Sequence, residues 1–74
     1  MRIVEDGQLM HEFNGFEDEK VIFEFMSGNK WQQDEYKYNY SYGFMPRAKV
    51  VENMGQTYLS VDGMSEMVRV KKVY

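Results

Sequence analysis

Tyr36, Tyr38, Tyr40, Tyr42 and Phe44 alternate with Lys37, Asn39, Ser41 and Gly43, so every second residue over 36–44 is aromatic. Side chains of an extended chain point alternately to opposite faces. A helix would scatter these rings around its axis, whereas an extended backbone lines them up on one side. The spacing therefore predicts a strand here, with an aromatic face and a polar face. Trp31 lies just upstream and is odd-numbered, so a bulge near residues 33–35 would be needed to bring it onto the tyrosine side.

The rest of the chain reads as β as well. Asn14-Gly15, Ser27-Gly28-Asn29 and Asp62-Gly63 are turn signals, because glycine reaches positive φ freely and Asn or Asp tolerates it. Between them lie short runs rich in β-branched and aromatic residues. Residues 20–26 form a candidate strand with Val21, Phe23 and Phe25 on one face and Ile22, Glu24 and Met26 on the other. Ser27-Gly28-Asn29 should turn that strand back into Lys30 and Trp31 as an antiparallel hairpin. The returning strand is expected to run on to Tyr42, with Pro46 ending the segment. Residues 47–52, 57–61 and 67–73 are further strands, the first two joined by a tight turn at Asn53-Met54-Gly55-Gln56. Residues 9–13 form a weaker candidate, preceded by a short pairing segment at 2–4. No stretch holds helical periodicity over 11 residues.

Seventy-four residues make one domain, spanning 1–74. Five or six short antiparallel strands in that length predict an all-β fold, a small and partly open barrel. An SH3-like barrel is preferred to an OB-like one, which wants more residues and a helix between its third and fourth strands. A chain this small buries only about 60–65% of its unfolded surface. With no cysteine and a single histidine, His11, disulfides and cysteine or histidine metal clusters are excluded as supports. Self-association is the support that remains. No metal and no cofactor are expected.

No run of 18 apolar residues is present, so no membrane span is expected. The N-terminal residues carry no apolar signal-peptide core, so a cytoplasmic setting is the default expectation. The net charge of −3 argues against non-specific nucleic-acid binding. That charge is uneven, with residues 1–37 carrying net −5 and residues 38–74 net +2.

The tyrosine row admits two readings. It can line the core side of a long strand, since aromatic side chains dominate core energetics. The choice of residue points elsewhere. Phe23 and Phe25 have no polar tip, whereas the row uses four phenols. A buried phenol without a partner costs about 1–3 kcal/mol, so four in a row sit more easily at a half-wet boundary, and tyrosine and tryptophan are enriched at protein contacts. Arg47 and Lys49 share one strand face, as do Arg69 and Lys71, with Lys72 adjacent. If those strands meet, a cationic patch would lie beside the tyrosines, as in platforms for single-stranded nucleic acid. Charged residues on solvent faces of strands explain the same pattern.

Catalytic signatures are lacking. His11 and Glu12 are sequence neighbours, and neighbours on a strand point apart. No phosphate loop or metal-ligand spacing occurs, and the Glu17-Asp18-Glu19 cluster fits a solvated loop better than a calcium site. Only an imidazole in a cleft beside a carboxylate would speak for an enzyme.

Asn14-Gly15-Phe16, Ser27-Gly28-Asn29-Lys30-Trp31-Gln32-Gln33, Tyr36-Lys37-Tyr38-Asn39-Tyr40-Ser41-Tyr42 and the closing Val61-Asp62-Gly63-Met64 and Val68-Arg69-Val70 resemble a group of small uncharacterised bacterial proteins of the kind carried on integron mobile gene cassettes. The resemblance covers most of residues 13–73 and implies a compact β-rich fold of bacterial origin, with no activity attached. The expected function is thus a non-enzymatic binding or assembly module. It would self-associate, as a homodimer first, or grip a protein partner through Trp31, Tyr36, Tyr38, Tyr40, Tyr42 and Phe44. The alternative is a nucleic-acid or other anion-binding module using Arg47, Lys49, Arg69 and Lys71.

Overall fold

A computed structural model describes residues 1–73, and every regular element among them is a strand. In chain order these are β1 (Arg2–Gln8), β2 (Glu12–Phe13), β3 (Ile22–Glu24), β4 (Lys30–Gln33), β5 (Gly43–Phe44), β6 (Arg47–Asn53), β7 (Gln56–Val61) and β8 (Val68–Val73). Six of them form one antiparallel sheet in the order β1-β6-β7-β8-β4-β3, and β2 pairs with β5 in a second, two-stranded sheet.

The local pairs follow from their turns. Between β3 and β4, Gly28 takes φ 96°, and the Phe25 N–H donates to the Asn29 carbonyl at 2.9 Å. Between β6 and β7, Met54 and Gly55 both have positive φ, 55° and 81°, which is the backbone of a type I′ turn. The mirror-image turn matches the right-handed twist of the flanking strands, so the register Asn53↔Gln56 through Ala48↔Val61 runs without interruption. The β7–β8 pair and the long-range pairs β1–β6 and β4–β8 complete the sheet. The register of β1 slips between Ile3 and Glu5, a bulge at Val4.

The sheet's two end strands, β1 and β3, meet beyond their ladders. Leu9 bridges Phe25, the Met10 N–H donates to Glu24 O at 2.8 Å, and the Met26 N–H donates to Gln8 O at 2.8 Å. One continuous core lies behind this stitch: Leu9, Phe13, Phe16, Phe23, Phe25, Trp31, Ala48, Val50, Leu59, Val61, Val68 and Val70, with Val21 and Met64 packed against it. Phe16 stands edge-on to both Phe13 and Phe23, at ring-centroid distances of 6.0 and 6.2 Å. Those are the geometries that the aromatic quadrupole favours.

Several expected elements differ in extent. The strand through Trp31 does not continue to Tyr42, because β4 ends at Gln33. The buried Gln33 side chain reaches forward and donates from Nε2 to the carbonyls of Glu35 and Lys37, each at 3.0 Å. The Asp34 N–H donates to Arg69 O at 2.8 Å, the last backbone tie to the sheet before the chain leaves it. From residue 34 to 42 the only ladder contact is the isolated bridge between Asn39 and Phe16. The 9–13 candidate shrinks in the same way to β2, with Leu9 held by its bridge and a bend at Met10 and His11. In contrast, the segment expected at 2–4 extends to Gln8.

Candidate functional site

The residues between β4 and β6 keep the predicted alternation although they form almost no strand. Lys37, Asn39, Ser41 and Gly43 are half-buried and face the body, while the aromatic residues between them face solvent. Tyr36, Tyr38, Tyr40, Tyr42 and Phe44 are 57–72% exposed.

Three of the four inward residues are tied down. The Lys37 ammonium donates to Met67 O at 2.8 Å and lies 4.0 Å from Glu66. Asn39 exchanges two backbone hydrogen bonds with Phe16, at 2.8 and 3.0 Å, and its side-chain amide donates to Glu66 Oε2 at 2.9 Å. Gly43 and Phe44 pair with Phe13 and Glu12 in the β2–β5 ladder. Between those two attachments, three residues at 40–42 oppose only Asn14 and Gly15, so this ribbon carries an irregular bulge. Gly15 is essential to it. Its φ is 87°, and a Cβ there would collide with the Asn39 carbonyl oxygen and stand 2.7 Å from the Ser41 nitrogen. Asn14-Gly15, read from sequence as a turn, is where two backbones come too close for any side chain.

Trp31 does not join the row. It is 6% exposed and belongs to the core. Its indole N–H points to Glu5 Oε1 at 3.3 Å, and the Lys72 ammonium sits 5.5 Å from the ring centre. The bulge at Val4 brings Glu5 into this position, where its carboxylate also accepts from Asn29 Nδ2 at 2.9 Å and Ser27 Oγ at 3.1 Å. The departure at residues 33–35 was expected to swing Trp31 and the tyrosines onto one side. It separates them instead, because the chain leaves the sheet there rather than bulging within it.

The four cations expected to cluster are apart. β7 lies between β6, which carries Arg47 and Lys49, and β8, which carries Arg69 and Lys71. Arg47 meets Asp6 at 3.4 Å. The Arg69 guanidinium donates to Asp34 O at 2.6 and 3.0 Å, and its backbone N–H donates to Glu35 Oε2 at 2.7 Å. Lys49 and Lys71 are exposed, opposite Asp6 and Gln32 in their registers. Two of the four positive charges are thus matched by carboxylate or carbonyl groups of the chain itself.

Sequence reasoning missed one pairing at His11. Its Nε2 lies 3.6 Å from Glu24 Oε1, at a shallow groove walled by Leu9, Phe13, Ile22 and Phe23, with Glu12 beside it. The two residues come together across the Leu9–Phe25 stitch, a contact without any local signal. The imidazole is largely solvent-exposed, and the groove holds no hydroxyl, thiol or amine side chain for it to activate. The imidazole and the Glu24 carboxylate thus lie side by side at the surface. Among the described residues no group of three or more His, Asp or Glu side chains could hold a metal ion, and no helix is long and apolar enough to cross a membrane.

Comparison with protein families, with curated proteins and with solved structures finds no match for this chain.

Proposed function

We propose that this domain is a non-enzymatic assembly module that holds a protein partner, in the first place another copy of itself, through Tyr36, Tyr38, Tyr40, Tyr42 and Phe44. The carrying observation is that five consecutive outward positions are all aromatic and all more than half exposed. Scattered exposed hydrophobes are ordinary, but a contiguous apolar row on a small protein marks a contact site. Tyrosine suits the task, combining large contact area with few rotatable bonds and a polar tip that tolerates water when unbound. The ties at Lys37, Asn39 and Gly43 hold the row ready, which lowers the ordering cost of binding.

For the finer architecture we propose a partly open, SH3-like barrel. The stitch between β1 and β3 supports it, since it joins the two ends of the six-stranded sheet at a single point. A cytoplasmic setting and an origin on bacterial gene cassettes are proposed on the sequence alone. The anion-binding alternative is weaker, given the dispersal of Arg47, Lys49, Arg69 and Lys71.

Sedimentation velocity over a hundredfold concentration range tests the assembly reading. The unmodified protein should sediment faster as concentration rises. A Tyr38→Ala, Tyr40→Ala double variant should stay monomeric while unfolding at a similar urea concentration. A concentration-independent monomer for the unmodified protein overturns self-association.

A further inference from the structure

We infer that copies of this chain join by strand addition at the outer edge of the tyrosine segment, antiparallel and edge to edge, so that the rings of both copies form one continuous face. This inference rests on the assembly reading above and specifies its geometry.

Asn39 directs both its N–H and its C=O at Phe16. In an extended backbone the main-chain groups of successive residues point to opposite edges. Those of Tyr38 and Tyr40 therefore point away from the Gly15-Phe16 side. Among the described residues, no backbone hydrogen bond involves Tyr36, Tyr38, Tyr40 or Tyr42. The segment is thus paired on one edge and open on the other.

Natural edge strands usually carry lysines, prolines or inward charges that block further pairing. This one is bare of such devices. Its single charged residue between 36 and 44 is Lys37, whose ammonium is directed at Met67 O and Glu66 rather than outward. The sheet's own end strands differ, since they meet each other at Leu9 and Phe25.

Parity selects a second copy as the partner. The open main-chain groups and the exposed rings belong to the same even-numbered residues. Antiparallel self-pairing through those groups therefore sets tyrosine opposite tyrosine, either Tyr40 against Tyr40 or Tyr38 against Tyr40. Aromatic cross-strand pairs are favourable, and no like charges face each other. A two-fold axis through the middle of the segment satisfies both copies with one contact and closes the assembly as a dimer. In that pairing the rings of the two copies lie side by side across the seam and touch along their flanks, while the aromatic face itself stays open.

Amide hydrogen exchange on the full chain, measured by NMR at a dilute, mainly monomeric concentration and at a concentrated, mainly associated one, tests this geometry. The Tyr38 and Tyr40 amides should slow at least tenfold in the associated state, while the Asn39 amide is protected in both. A full-length synthetic chain carrying N-methyl Tyr40 keeps every ring and removes one edge donor. It should associate at least tenfold more weakly. Association with equally fast Tyr38 and Tyr40 exchange in both states overturns strand addition and leaves the ring-mediated contact standing. Should the N-methylated chain fail to fold, the exchange result on the unmodified protein decides. A protein monomeric at every concentration removes both readings together.

Discussion

Two groups of aromatic residues share this small domain and meet opposite fates. In the core Phe16 stands edge to face against Phe13 and Phe23, whose rings are tilted to each other. Tyr36, Tyr38, Tyr40 and Tyr42 stand in solvent. The two groups touch the same ribbon, since Phe16 is both a core ring and the backbone partner of Asn39. Side-chain chemistry tracks the division. Rings without a polar tip are inside, and rings that carry a hydroxyl are outside. Phe44 departs from this as an exposed phenyl at the end of the row, and so do the half-buried Tyr58 and the core Trp31, whose indole N–H is bonded to Glu5. One backbone ribbon thus separates stability from display.

Truncating one ring from each group tests this division most directly. Phe16→Ala should cost about 3–5 kcal/mol of stability, enough to unfold a domain of this size or come close to it. Urea unfolding followed by circular dichroism measures the loss. Gly15→Ala comes next, at roughly 2–4 kcal/mol, from a positive φ combined with a Cβ driven against the Asn39 carbonyl. The same titration checks it, and it should also weaken association by releasing the row from its mount. Asn39→Ala keeps the two backbone bonds and removes only the side-chain bond to Glu66, so about 0.5–1 kcal/mol is expected. Tyr40→Ala should change monomer stability least, by about 0.5 kcal/mol or less. If Tyr40→Ala instead destabilises as much as Phe16→Ala, the row is structural and the contrast fails.

Much of this was readable in advance, for identifiable reasons. The β3–β4 and β6–β7 hairpins announce themselves through glycine-bearing turns whose φ the structure bears out at Gly28 and Gly55. The alternation of Val68 and Val70 with Arg69 and Lys71 marked β8. The tyrosine spacing correctly placed the rings on a common side. It could not say whether that side held core or water, because an extended segment alternates in either case. Nor could it tell a laddered strand from a segment pinned by side chains. What ends β4 is the reach of the Gln33 amide to two carbonyls, and such bonding has no periodic signature. The pairing of β1 with β6, and the meeting of His11 with Glu24, join residues far apart in the chain and leave no local trace.

The chain's one tryptophan lies in the core, while four of its six tyrosines stand outside. Indole emission therefore reports whether the domain is folded, and phenol absorbance reports changes in the surroundings of the row. Two wavelengths on one unlabelled sample read the core and the row separately, with no dye attached to the tyrosines.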